Sequence, residues 1–477
     1  MLSSECSAPT GMASATIPDQ KSFDPDLIAR HHREGPRYTS YPTADRFVGS
    51  FNAESYGHHL ARRRLETPAR PWSLYVHLPF CATVCYYCGC NKIATRNVRR
   101  ASDYVDYLLC EAAMRADQLG DDRRLAQVHW GGGTPTFLPF EQMRRLMLAL
   151  RSHFDLREEA EVAIEVDPRT VDTRGVEQLA SLGFNRMSIG VQDFDPDVQA
   201  SVNRIQSEAQ TLAVLDAARE AGFRSINVDL IYGLPRQSSS SFARTLDQVI
   251  AAAPDRIALY SYAHLPQTFK PQRRIDVAQL PSPEAKLQIF DVAIHRLTDA
   301  GFVYIGMDHF ARPNDELAVA QREGRLQRNF QGYSTRADCD LIALGMSGIG
   351  AVGASYYQNQ RELADYYDAI DRGVLPIMRG VELTPDDVLR RAVIHGLMCH
   401  FALSMEAVGR AHGIDFETYF RQELKELKQF ARDGLVELRD GRIVVTSLGR
   451  FLVRNICMVF DRYLREREQR ARYSKVI

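Results

Sequence analysis

From Trp72 onward the hydrophobic and polar positions alternate between two rhythms. Short apolar runs, rich in Val, Ile, Leu and Tyr, give way to stretches whose apolar residues recur every three or four positions. The runs Ser73–Leu78, Val128–Trp130, Glu161–Val166, Met187–Val191, Ser225–Ile231 and Arg256–Tyr260 predict strands. The stretches Asp103–Leu119, Phe140–His153, Thr173–Leu182, Ala209–Ala221, Ser241–Ala252 and Pro283–Ala300 predict helices. Strands alternating with helices predict an α/β fold with a parallel sheet and helical crossovers. Distinctive segments follow the C-terminal ends of strand after strand, where α/β barrels carry their chemistry.

After about Thr384 the rhythm changes. Helical patterns dominate, with a hairpin predicted at Leu435–Leu438 and Ile443–Thr446 through Asp440-Gly441. Helices with a small hairpin resemble a winged-helix module, expected here to pack on the barrel mouth rather than to bind DNA. The tail Arg462–Lys475 interleaves arginines with Glu466 and Glu468, which reads as a solvated helix face. Residues 1–22, rich in Ser, Ala, Thr and Pro, read as a disordered lead-in.

Composition narrows the function classes. A formal charge of −1 over 477 residues argues against a dedicated nucleic-acid surface. No apolar run approaches the length that spans a bilayer, and no signal-peptide pattern is visible, so a cytoplasmic setting is the expectation. Of nine cysteines, Cys6, Cys110, Cys339, Cys399 and Cys457 are scattered, as free thiols of a reducing compartment would be. The other four, Cys81, Cys85, Cys88 and Cys90, fall in one loop after the first predicted strand. The first three follow C-x3-C-x2-C. Three thiolates can hold three corners of a [4Fe-4S] cube and leave one iron open. Structural zinc, which needs four closed ligands, and unligated thiols are the competing readings of the spacing.

The segments around the cysteines carry a resemblance. The triad after an apolar strand is the signature of the radical S-adenosylmethionine superfamily. RYTSYPTADRF (37–47), YVHLPFC...CYYCGCNK (75–92), HWGGGTPT (129–136), IEVDPR (164–169), GVQDF (190–194), NVDLIYGLP (227–235), YAHLP (262–266), GMDHFARP (306–313) and RNFQGYST (328–335) resemble the oxygen-independent coproporphyrinogen III oxidases of haem synthesis. That resemblance runs from about Arg37 to the C-terminus. It implies a partial (β/α)6 barrel. It divides the chain into a lead-in and arm (1–36), a segment over the active site (37–71), the barrel with an extension (72–383) and a helical domain (384–477).

The resemblance also implies roles. Cys81, Cys85 and Cys88 would ligate the cluster, with Cys90 of unassigned role. Tyr75, Tyr87, Gly132 and Glu165 would hold a first S-adenosylmethionine. Gly133, Thr134, Gln192, Arg204, Asp229, Ala263 and Ile349 would hold a second. Arg37, Tyr38 and Tyr41 lie in an arm expected near the substrate, where a guanidinium suits a carboxylate. The charge run Arg30, His31, His32 and Arg33 before them reads by default as a solvated face. His77, His129, His264 and His309 are expected to support neighbours rather than to react.

The implied reaction converts two propionates of coproporphyrinogen III to vinyl groups. The propionate β-hydrogen has no useful acidity, so a general base cannot remove it, whereas a 5′-deoxyadenosyl radical can. Expected partners are the porphyrinogen, a reductant such as flavodoxin or ferredoxin, and an unidentified electron acceptor. The chain is expected to be a monomer. The alternative from another class is a related haem-binding chaperone; such relatives usually lack the Cys-Gly-Cys ending and the RYTSYPT arm, both present here.

Overall fold

The computed structural model describes residues 25–465, apart from 32, 34, 66–69, 337 and 338. The lead-in 1–22 and the tail beyond Arg465 lie outside the described residues. Six parallel strands form the centre: β1 Trp72–Leu78, β2 Arg124–Gly132, β3 Asp155–Val166, β4 Arg186–Gln192, β5 Ser225–Tyr232 and β6 Arg256–Ser261. They lie side by side in chain order. The crossovers and flanking helix are α1 Val98–Leu119, α2 Phe140–His153, α3 Thr173–Ser181, α4 Glu208–Glu220, α5 Ser239–Ala251 and α6 Pro283–Asp299. Helix α2 has the expected bounds. Helix α1 begins earlier than its apolar rhythm because the Asn97 side chain caps it, accepting from the Arg99 N–H at 3.0 Å.

The sheet is larger than the sequence rhythm implied. Beyond β1 it continues through Asp340–Leu344, which runs parallel to β1, then antiparallel through Ile349–Val352, Ser355–Asn359 and Ile377–Glu382. Beyond β6 it gains His309–Ala311, antiparallel to β6, and then Val303–Gly306, antiparallel to His309–Ala311. The result is a twelve-stranded sheet. A buried polar network ties the extension to α1. Glu111 Oε2 accepts from Gly345 N at 2.7 Å and from Tyr366 OH at 2.8 Å, while Oε1 accepts from Asn359 Nδ2 at 2.8 Å. Arg115, also fully buried, donates to Glu111 and lies 4.8 Å from the rings of both Tyr56 and Tyr357. Such a network tolerates burial because every charge has a partner.

The hairpin Gln327–Asn329 and Gly332–Ser334 plugs the N-terminal end of the barrel. Ser334 Oγ donates to Gln127 on β2 at 3.4 Å, and Thr335 Oγ1 donates to Glu161 on β3.

Past residue 383 the winged-helix expectation is met. Ala402–Ser404, Arg442–Val445 and Val436–Arg439 form an antiparallel sheet beside the helices Met405–His412, Phe416–Tyr419 and Arg421–Arg432. The predicted turn has Asp440 and Gly441 at φ 50° and 66°, the left-handed pair that a tight hairpin needs. Of the tail, only Arg462–Arg465 lies within the described residues: Arg462 binds Asp386 at 2.7 Å, and the exposed Arg465 binds Glu423 at 3.0 Å.

The two ends of the described chain clasp each other. Arg454 donates to the carbonyls of Gly35 and Pro36. Tyr38 OH donates to Asp461 at 3.0 Å, and Tyr41 OH accepts from Arg462 N at 3.2 Å.

Candidate functional site

The cysteine loop leaves the C-terminal end of β1. Phe80–Cys81 pairs in parallel with Ile93–Ala94, which folds the loop back on itself. The glycine loop leaves β2 and is pinned against it: Gly133 N donates to Leu78 O at 2.8 Å and Thr134 N to Phe80 O at 2.9 Å. Only glycine allows this approach. A Cβ on Gly133 would stand 2.6 Å from the Pro79 carbonyl carbon, and Gly132 sits at φ +116°.

These loops enclose one cavity of about 320 Å³. Its wall brings together Cys81, Cys85, Cys88, Cys90, Tyr87, Gly132, Gly133, Thr134, Glu165, Gln192, Arg204 and Asp229, residues spread over five strands and their loops. The thiols receive donors: Thr134 Oγ1 to Cys81 Sγ at 3.4 Å, Arg204 Nη1 to Cys85 Sγ at 3.6 Å and Arg169 Nη2 to Cys85 Sγ at 3.7 Å. Burial pushes the Cys81 thiol up to about 11. The hydrogen bond from Cys90, against an opposing burial effect and with help from Lys92, holds Cys88 down at about 5; Cys90 itself rises in consequence. Among the described residues no three His, Cys, Asp or Glu side chains converge closely enough to hold a single metal ion. The three thiols instead ring a cavity, with cationic and hydroxyl donors behind them. That donor set fits a thiolate-held cluster with room beside it.

The charged wall is ordered by pairs. Arg204 binds Asp167 Oδ2 at 3.0 Å and Gly190 O at 2.5 Å, and Arg169 binds the same Asp167 carboxylate at 2.6 Å. Burial works against the Asp167 charge, but these two guanidiniums prevail and hold it below the usual carboxylate range. Glu165 is likewise opposed by burial and held low by His129, at 3.1 Å, and by the Gly132 N–H, at 3.0 Å. Asp229 is the exception. Burial first, then the Glu165 charge, push it up to about 6, although Ser188 and Asn227 donate to it at 3.0 and 2.8 Å.

Six expected site residues fall outside the cavity wall. Tyr75 lies beside it, its OH bonded to His77 Nδ1 at 3.1 Å and its ring stacked on His129. Ala263 is linked to the wall through Gln272, whose Nε2 donates both to Ala263 O and to Tyr87 O. Ile349 packs instead with Phe47, Phe330 and Tyr356 in the sheet extension. Arg37 pairs with Asp308 at 2.7 Å. Tyr38 and Tyr41 are both buried, and their hydroxyls face Asp461 and Arg462. Two residues the sequence reading passed over, Asp167 and Arg169, line the cavity. Both lie in the IEVDPR segment, just past the end of β3, and that position was the available signal. His77 and His129 support neighbours, as expected.

A partial parallel barrel with three cysteines and a glycine loop at its C-terminal mouth defines a radical S-adenosylmethionine protein. Residues 75–249 match the Radical SAM superfamily model, and residues 383–452 match the HemN C-terminal domain. The oxygen-independent coproporphyrinogen III oxidase of Salmonella typhimurium is 50% identical over 458 residues, covering 96% of this chain and 99% of that protein. The Pseudomonas aeruginosa protein of the same name is 49% identical over 461 residues, covering 96% of this chain and all of that one. The solved structure of coproporphyrinogen III oxidase from Escherichia coli, described as a radical SAM enzyme, covers 93% of this chain and 100% of that one at 48% identity, with a TM-score of 0.89. The chain belongs to the oxygen-independent coproporphyrinogen III oxidases. Its cofactors, as the family implies, are a [4Fe-4S] cluster and S-adenosylmethionine.

Proposed function

We propose that this chain oxidatively decarboxylates two propionate side chains of coproporphyrinogen III to vinyl groups, each losing CO2, one hydrogen atom to the 5′-deoxyadenosyl radical and one electron to an external acceptor, giving protoporphyrinogen IX. The observation that carries the reading is the single cavity shared by the three thiols, the glycine loop and the Glu165, Arg204 and Asp229 side chains. When bound, the cluster and S-adenosylmethionine supply a 5′-deoxyadenosyl radical, strong enough to take hydrogen from an unactivated carbon. Cys81, Cys85 and Cys88 would hold the cluster. The protein's task is then to orient and to shield.

Gly131, Gly132 and Gly133 leave the backbone bare, so that a ligand can lie against main-chain N–H and C=O groups. Glu165, kept ionised by His129 and Gly132, is placed to receive an ammonium group. Arg204 is fixed by Asp167 and Gly190 and presents a charged fork to a carboxylate. Asp229, raised by burial, gains most from a hydroxyl or cation brought beside it. Glu165 and Asp229, two separate carboxylates on the wall, are read as serving one S-adenosylmethionine molecule each, two in all. The reading extends to a cytoplasmic monomer served by flavodoxin or ferredoxin; the free thiols of the described residues support a reducing setting.

The test is anaerobic incubation of the iron-loaded protein with reductant, S-adenosylmethionine and coproporphyrinogen III. Release of two CO2 per porphyrinogen, with 5′-deoxyadenosine, is expected. No CO2 together with tight haem retention would replace this reading with that of a haem chaperone.

A further inference from the structure

At the opposite end of the barrel, beside the N-terminal ends of β1 and β2, the chain encloses a second polar cavity of about 140 Å³. Five segments distant in sequence wall it: the arm through Thr39, the barrel through Gln127, the plug hairpin through Arg328, the sheet extension through Asp340 and Tyr356, and helix Pro385–His400 through Arg391 and His395. Its charge is one-sided. Among the described residues four arginines face it against one carboxylate, Asp340. Asp340 is already engaged, accepting from Arg63 Nε at 2.5 Å and from Gly353 N at 3.1 Å.

Arg336 pairs with Glu161 at 3.5 Å, whereas Arg328 and His395 are short of acceptors. Arg328 is 3% exposed; its Nε donates to Arg37 O at 3.3 Å, but its Nη1 has no partner among the described residues. His395 Nε2 is buried without a partner as well. Arg391 reaches Tyr356 OH at 3.4 Å. A buried guanidinium with an idle N–H is costly, and the cost falls sharply when an anion accepts from it. Burial and the two neighbouring guanidiniums push the His395 imidazole down to about 3, so it stands neutral and can donate from Nε2. The volume suits a carboxylate with a few waters and excludes a macrocycle. The place is also connected: Gln127 and Asn329 line both this cavity and the barrel interior, and Glu165, Ser188 and Asp229 line both the interior and the cysteine cavity.

We propose that this cavity is a carboxylate-binding site, with Arg328, Arg391 and His395 as its donors. A propionate arm of the tetracarboxylate substrate is one source of the group, and a small free carboxylate is the other. Only the first source rests on the proposed function. The iron-loaded full-length protein is titrated with coproporphyrin III, with its tetramethyl ester and with sodium propionate, and the same is done for Arg391→Gln and Arg328→Lys. Iron content and melting temperature serve as controls for folding.

At least one of the two acids is expected to bind the wild type, and Arg391→Gln is expected to weaken that binding tenfold or more. Tetra-acid binding that the ester lacks and the variants lose identifies the substrate arm. Loss of propionate binding alone identifies a free carboxylate. Two folded variants that bind both acids as the wild type does would overturn the site and leave a water-filled cavity. Failure of the enzymatic reading is distinguishable, because it appears as absent CO2 release in the wild type whatever the arginine variants do.

Discussion

Asp229→Asn is expected to stabilise the protein while weakening its hold on S-adenosylmethionine. In the folded state the Asp229 carboxyl keeps its proton up to about pH 6, against an ordinary value of 3.8. Between those values the folded chain holds a proton that the unfolded chain has released. Stability is therefore lost as pH rises through this window, and the loss is complete above about pH 6. About two pH units at ~1.36 kcal/mol each amount to about 3 kcal/mol at neutral pH.

Asparagine removes this penalty and can keep the local bonds: its carbonyl accepts from Asn227 and its amide donates to the Ser188 hydroxyl, the groups that now donate to Asp229 at 2.8 and 3.0 Å. Thermal or urea unfolding of both proteins, without added S-adenosylmethionine, is compared from pH 4 to pH 8. The variant should match the wild type near pH 4 and exceed it by up to about 3 kcal/mol at pH 8. Parallel curves across that range would refute the assignment of a buried, destabilising charge. The accompanying loss of S-adenosylmethionine affinity, measured by equilibrium dialysis, would place the penalty in the service of ligand binding.

Other outcomes follow from the same geometry. Gly133→Val should displace the glycine loop, because its Cβ meets the Pro79 backbone at 2.6 Å; lower iron retention and a reduced melting temperature, on the order of 1–3 kcal/mol of destabilisation, check this. Arg204→Gln leaves the buried Asp167 with Arg169 as its remaining guanidinium, at a cost of about 3–5 kcal/mol, and should abolish 5′-deoxyadenosine formation; Arg204→Lys, lacking the fork, should recover only part of it. Tyr38→Phe removes the donor to Asp461 and should loosen the N-terminal arm by about 1–3 kcal/mol, read as faster proteolysis near Arg37, with the iron content unchanged.

The barrel was legible because its strands and helices each bury one face, so that chemistry and periodicity coincide along the chain. Helix α2 is the clearest case: Met143, Leu146, Met147 and Leu150 recur at helical spacing and are all buried. The sheet extension was not legible. Its strands are short, Gly345, Gly348, Gly350 and Gly353 break their rhythm, and Asp340–Leu344 pairs with β1 from more than 260 residues away, as Trp72 opposite Asp340 illustrates. No local pattern encodes so distant a pairing.

The site divides in the same way. Residues held by loops at strand ends were found through their motifs, and twelve of the expected set line one cavity. A tyrosine beside arginines suits a ligand as well as it suits a buried clasp, and the clasp partners of Tyr38 and Tyr41, Asp461 and Arg462, lie too far along the chain to be read locally.

The clasp between the chain's ends has a bearing on how the molecule is made. Tyr38 waits for a carboxylate 423 positions downstream. On the ribosome the arm emerges first yet has nothing to dock against until translation is nearly over, whereas the strands beside it can already pair. The arm thus stays undocked throughout most of elongation. The clasp is therefore the last contact of the chain to form, closing only when Arg454, Asp461 and Arg462 have arrived.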